Sequence, residues 1–108
     1  MANKQNLYFD QGTSFSQSFT IQHANGVPVD LSTYTGRSHL RKEYTSPTFY
    51  EFTVTLGGNT GVVSISLSPT QSSNIAAGRY LYDVEIENNG NVSRIIEGFC
   101  SITPEVTR

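Results

Sequence analysis

Tyr80-Leu81-Tyr82-Asp83-Val84-Glu85-Ile86-Glu87 is followed at once by Asn88-Asn89-Gly90-Asn91 and then by the run Val92 to Thr103. Period-two alternation puts Tyr80, Tyr82, Val84 and Ile86 on one face of a strand and Asp83, Glu85 and Glu87 on the other. Asn-Gly readily takes the positive φ of a tight turn, so the second run returns beside the first as a hairpin. A two-residue turn at Asn89-Gly90 sets Glu85 opposite Arg94, a favourable cross-strand pair. A three-residue turn aligns Ile86 with Val92 and Tyr82 with Ile96 instead. The sequence leaves both registers open.

Further strands lie upstream at the spacing of sandwiches and barrels. Val63, Ile65 and Leu67 alternate with Val62, Ser64 and Ser66, and Tyr50, Phe52, Val54 and Leu56 alternate with Glu51, Thr53 and Thr55. Gly36 to Tyr44 is expected as a strand with a thin apolar face of Leu40 and Tyr44 opposite Arg37, His39 and Arg41. Val27 to Leu31 reads as a returning edge or linker segment, because Pro28 has no N–H to donate. Phe15, Phe19 and Ile21 alternate with Ser16, Ser18 and Thr20, and Leu7-Tyr8-Phe9 makes a short apolar start. The one helical candidate is Pro69 to Ala77, capped by Ser68, with Pro69 at the first helical position and Gly78 as its stop. The expected architecture is all-β: an immunoglobulin-like sandwich of about seven strands with one short helical crossover. A small barrel is the alternative. The chain's 108 residues suffice for one such domain.

Charged residues make up 15% of the chain, against roughly 25% in an average globular protein. Serine, threonine and asparagine fill the polar share, which lowers the cost of desolvating a surface against another protein. The net charge of −2 gives no electrostatic footprint for nucleic acid. Arg37, His39 and Arg41 share one strand face and read most simply as a solvated or interface face. Cys100 is the only cysteine, so no internal disulfide forms. No apolar stretch suits a signal peptide or a membrane span, so folding in a reducing cytoplasm is expected.

Chemistry is hard to find. His23 and His39 lie far apart, with no paired-cysteine motif, so no metal site is expected. The serines lack a Gly-x-Ser-x-Gly elbow. Asp83, Glu85 and Glu97 read as a strand face balanced by Arg79 and Arg94, not as a glycosidase pair. The glycine-rich loop Gly57 to Gly61 has no lysine after it and leads into a strand, which rules out a phosphate loop. No catalytic, cofactor-binding or metal residues are therefore assigned. Aromatics are the remaining signal. The pairs Tyr8-Phe9 and Phe49-Tyr50 each send one ring away from the core, which is where a partner would dock. The candidate interface is Tyr8, Phe9, Arg37, His39, Arg41, Phe49 and Tyr50.

Several segments resemble a family of short structural proteins of tailed bacteriophages, cyanophages among them. They are Asp10-Gln11-Gly12-Thr13-Ser14-Phe15, Val29-Asp30-Leu31-Ser32-Thr33-Tyr34-Thr35-Gly36-Arg37, Ala77-Gly78-Arg79-Tyr80-Leu81-Tyr82-Asp83-Val84-Glu85, Arg94-Ile95-Ile96-Glu97-Gly98 and Thr103-Pro104-Glu105-Val106-Thr107-Arg108. Their order is also similar to that in the N-terminal immunoglobulin-like domain of phage baseplate upper proteins, which anchors to the particle. Those proteins continue into a long further region. The resemblance implies a non-enzymatic virion protein made in the host cytoplasm, associated with tail, baseplate or neck. Its implied partners are other virion proteins, in a homo-oligomer or ring, with no nucleic acid, membrane or cofactor. An extended arm (residues 1–12) and a short tail (residues 104–108) are expected to reach neighbouring subunits. A capsid decoration protein and a carbohydrate- or receptor-binding module are the alternatives.

Overall fold

The computed structural model describes residues 3–104. Eight strands form one curled sheet: β1 (Asn3–Lys4), β2 (Leu7–Asp10), β3 (Phe15–Thr20), β4 (Thr35–Arg41), β5 (Tyr50–Leu56), β6 (Val62–Leu67), β7 (Gly78–Asn88) and β8 (Asn91–Thr103). The order is β1-β8-β7-β4-β5-β6-β3, with β2 also lying along β8. The fold is an all-β sandwich made by bending this sheet over at β5. The first half of β5 pairs with β4 (Ser38 with Phe52, Leu40 with Tyr50), and its second half pairs with β6 (Val54 with Ile65, Leu56 with Val63). One layer is thus β1/β2-β8-β7-β4, the other β6-β3, and β5 is the corner they share.

The inward faces follow the alternation of the sequence. Tyr80, Tyr82, Val84 and Ile86 of β7, Val63, Ile65 and Leu67 of β6, and Ile96, Cys100 and Ile102 of β8 are all buried. Aromatic rings cross between the layers: Phe9 stacks on Phe15 at 4.6 Å, Phe15 lies 5.7 Å from Phe52, and Phe52 meets Tyr82 edge-on at 6.2 Å.

The hairpin takes the two-residue turn. Asn88 faces Asn91, Glu85 faces Arg94, and Asn89 and Gly90 both have positive φ (52° and 83°). This turn chemistry conflicts with the core, however. Extended unbroken, its register would put Tyr82 opposite Glu97 and turn Cys100 and Ile102 outward. A bulge at Ile95 removes the conflict: below it Val84 faces Ile96, Leu81 faces Phe99 and Tyr82 faces Gly98. One extra residue thereby restores the apolar phase of β8.

Two expectations, the bounds of the basic strand and the length of the helix, need correcting. The strand expected over Gly36 to Tyr44 is Thr35–Arg41, with Ser38 and Leu40 inward, and Tyr44 is 81% exposed beyond its end. Val27 to Leu31 returns after the Gly26 turn as the edge or linker segment expected, bridging Gln22 to Pro28, with the Val29 amide donating to the Ile21 carbonyl. Asp30 accepts hydrogen bonds from the Ser32 amide and hydroxyl, and Leu31 plugs the core. The helix α1 spans Pro69–Ser73 and stops well short of Ala77. Ser68 caps it reciprocally with Gln71, but Ile75 must then turn into the core, which ends the helix.

Residues 3–10, expected within an extended arm, run parallel to β8, with Asn3 beside Ile96 and Leu7 beside Cys100. Leu7 is buried, the Gln5 amide bonds to the Glu97 carbonyl, and the Tyr82 hydroxyl donates to the Gln5 carbonyl. This segment is therefore used inside the domain. Of the tail, Pro104 follows the end of β8, and residues 105–108 lie outside the described residues.

Candidate interaction face

β4, β7 and β8 point their second set of side chains outward, and cross-strand register assembles these into rows. Arg37 of β4 stands opposite Glu85 of β7, which stands opposite Arg94 of β8. His39 faces Asp83, which faces Glu97, and Arg41 faces Leu81, which faces Phe99. The last two rows exist only because of the bulge at Ile95, which brings Glu97 and Phe99 to the outside.

The carboxylates of Asp83, Glu85, Glu87 and Glu97 on this face are each matched by an arginine. Arg37 reaches Glu85 at 2.9 Å and Glu87 at 3.5 Å, while Arg94 reaches Asp83 at 3.2 Å and Glu97 at 3.5 Å. Contact with Glu85 holds the Arg37 guanidinium above its usual pKa, so it stays charged. Burial pushes the Asp83 carboxyl up, helped by Glu85, and outweighs the pull of Arg94 and His39. His39 Nε2 lies 3.9 Å from Glu51. Pairs this exposed add little to stability, about 1 kcal/mol at most. Their effect is to leave few bare charges that a docking partner would have to desolvate.

Rings lie beside the charges. Phe49 stacks on His39 at 4.0 Å and lies under the Arg41 guanidinium at 4.6 Å. Arg79 sits over Phe99 at 3.9 Å. Both rings remain 40% exposed. Two shallow depressions, of about 280 Å³ and about 410 Å³, share Tyr44 and Leu81 as a common wall. The first is floored by the Arg37, Asp83 and Arg94 cluster, the second by Arg79, Lys42 and Phe99. Rings already fixed by cations lose little conformational freedom on binding, which favours docking.

The structure thus brings together Arg37, His39, Arg41 and Phe49, and it divides the rest. Tyr8, 72% exposed, lies on the same layer beside Ser101, beyond the Phe99 row. Phe9 faces the core against Phe15, and Tyr50 lies at the core's rim, edge-on to Tyr80 at 6.0 Å. Each aromatic pair therefore splits as its strand period requires, and Phe9 and Tyr50 leave the candidate face.

No protein-family model and no curated protein matches the sequence. Among solved structures, the crystal structure of Listeria monocytogenes InlP matches 94% of this chain with a TM-score of 0.52 and 12% identity. The likeness shows the fold alone. The chain spans 28% of that protein's length.

Leu81, Phe99 and Tyr44 join the face without having been assigned to it from the sequence, whereas Arg79 was placed there only as a balancing charge. Phe99 sits in the apolar run with Cys100 and Ile102, and only the bulge decides which of them faces out. Leu81 breaks the polar alternation of β7, and that break is the sign within β7 of an apolar outer face.

Proposed function

We propose that the protein is a non-enzymatic assembly module of a tailed-phage particle, placed in the tail, baseplate or neck. Neighbouring virion proteins would dock on the outer face of β4, β7 and β8. One observation carries the docking role: Phe99 on β8 and Phe49, just before β5, stay exposed on the outer side of the sheet, each held by an arginine, beside arginine–carboxylate pairs. Interfaces favour this mixture of fixed aromatics and arginine with little bare charge. The phage setting is supported by the resemblance of the segments from Asp10 to Phe15, Val29 to Arg37, Ala77 to Glu85 and Arg94 to Gly98.

Quantitative mass spectrometry of purified particles, with heads and tails separated before digestion, tests the proposal. Peptides of this chain in the tail fraction support it. Abundant peptides in the head fraction would make the protein a capsid decoration subunit. Absence from both fractions would sink the virion reading and favour a soluble binding module.

A further inference from the structure

β3 ends the sheet, paired with β6 on one side and with no other strand among the described residues. Exposed edges are usually guarded by charge, proline, a bulge or brevity. The opposite edge has such guards: β1 and β2 are 2 and 4 residues long, are interrupted at Gln5 and Asn6, and carry Lys4 and Asp10. β3 has none of these. From Gln11 to Gln22 there is neither a charged residue nor a proline, and the six pairs with β6 run without a break.

The sequence of this unguarded edge is self-complementary. Phe15-Ser16-Gln17-Ser18-Phe19 reads identically in both directions. Two copies running antiparallel about a two-fold axis at Gln17 set Phe15 against Phe19, Ser16 against Ser18, and Gln17 against its own mate. We propose that β3 is a homodimerisation edge, joining two copies of this chain into one continuous sheet about a two-fold axis at Gln17. The inference stands on β3 alone and is independent of the outer-face docking and of the phage setting.

Backbone orientation agrees. The Ile21 amide donates to the Gly61 carbonyl, one step beyond the Thr20–Val62 pair. Antiparallel ladders alternate, so the odd residues of β3 turn their amides to β6 while Ser16, Ser18 and Thr20 leave theirs on the open edge. In the dimer, Ser16 and Ser18 of the two copies exchange these bonds, and the Gln17 pair occupies the closer, non-bonded position between them.

Both faces match across the axis. On the outer face, Thr53, Ser66 and Ser16 form one hydroxyl row and Thr55, Ser64 and Ser18 the next, with Ser18 Oγ 2.9 Å from Ser64 Oγ. Pairing joins the first row of one copy to the second row of the other, with no charge brought near a like charge. On the inner face, Phe15 and Phe19 are only half-buried, and each would be covered by the other copy's ring. Gln17 is half-buried on this apolar side, opposite Ile65, and its side-chain amide has no partner among the described residues. Its mate supplies a reciprocal pair of amide hydrogen bonds. A foreign strand would use the open amides equally well but would have no use for the palindrome, which marks a second copy as the occupant.

Sedimentation of the intact chain over a concentration series is expected to show a reversible dimer. Gln17→Glu and Gln17→Lys should each be monomeric while folded, because they place like charges on the axis. An equimolar mixture should recover the dimer as a heterodimer, a rescue that only a residue 17 to residue 17 contact explains. If the charged variants fail to fold, Gln17→Cys replaces them. Its α-carbons would fall within the roughly 4.4–6.8 Å that a disulfide needs, so oxidation should couple it to itself faster than Thr55→Cys. A wild-type chain that stays monomeric into the millimolar range overturns the proposal, including the case where it gains a strand from a different virion protein. Failure of the mixture to dimerise, or equal coupling at residues 17 and 55, also overturns it.

Discussion

Asp83 sits between two opposing influences. Arg94 at 3.2 Å favours its carboxylate, while burial and the neighbouring Glu85 favour the neutral acid and prevail, raising its pKa. A folded-state pKa above the unfolded value means the fold binds the proton better. The associated stability is present below the ordinary carboxylate range and is lost as pH rises through the folded value. Asp83→Asn keeps the neutral form at every pH and leaves Arg94 with Glu97 at 3.5 Å. Its melting temperature near neutral pH should exceed that of the wild type by a gain below about 1 kcal/mol, shrinking toward acid pH. A lower melting temperature at neutral pH would mean the Arg94 pair outweighs burial. Tyr82 makes a harder test of the core. It is buried, it contacts Phe52, and its phenol, held protonated by burial, donates to the Gln5 carbonyl. Tyr82→Ala should cost about 3 kcal/mol or more in denaturant unfolding, and an unchanged midpoint would contradict its place in the core. Cys100, pushed up to about 12 by burial, should resist alkylation until the protein unfolds.

At the scale of elements, β8 joins the two halves of the argument, since it carries the bulge on one side and receives residues 3–10 on the other. That docking depends on Gly98: a β-carbon there would overlap the Gln5 carbonyl, a backbone atom with no freedom to move aside. Gly98→Ala should destabilise the protein by about 1–3 kcal/mol, the usual cost of overpacking. The accompanying loss of amide-exchange protection should be confined to residues 3–10 and the β8 stretch they cover; uniform loss, or none, would show that the segment is not held there. The central strands were legible because Tyr80 to Glu87, Tyr50 to Leu56 and Val62 to Leu67 alternate, and one face had to be dry. The parallel pairing of residues 3–10 was not legible, because Leu7-Tyr8-Phe9 has the period of any short strand and nothing local chooses its mate. The bulge was hidden for a related reason. Asn89-Gly90 dictates the turn and the apolar residues dictate the phase, and their disagreement appears only when both are laid on one ladder. Arg37, His39 and Arg41 were visible as a face from their own strand, whereas Phe99 and Leu81 needed the register of three strands together.

For the whole molecule, bending the sheet at β5 separates two kinds of outer surface. The β4-β7-β8 layer presents paired charges with arginine-held rings, and the β5-β6-β3 side presents hydroxyls with an unguarded edge. Low overall charge follows from this division, because β3 and β6 carry no charged residue and on the other layer the two signs are interleaved. The rings of the first layer contribute little to the core, so their removal should separate assembly from folding. Phe49→Ser with Phe99→Ser should leave the chain folded, with a stability change within about 1 kcal/mol, the range expected of surface sites. Incorporation into particles, read by quantitative mass spectrometry against the wild type in a complementation assay, should fall at least tenfold, the equivalent of about 1.4 kcal/mol of docking energy. Full incorporation of the doubly substituted chain would remove the outer face from the assembly and leave the β3 edge as the remaining route. Loss of folding would show instead that the arginine-held rings belong to the core's own support.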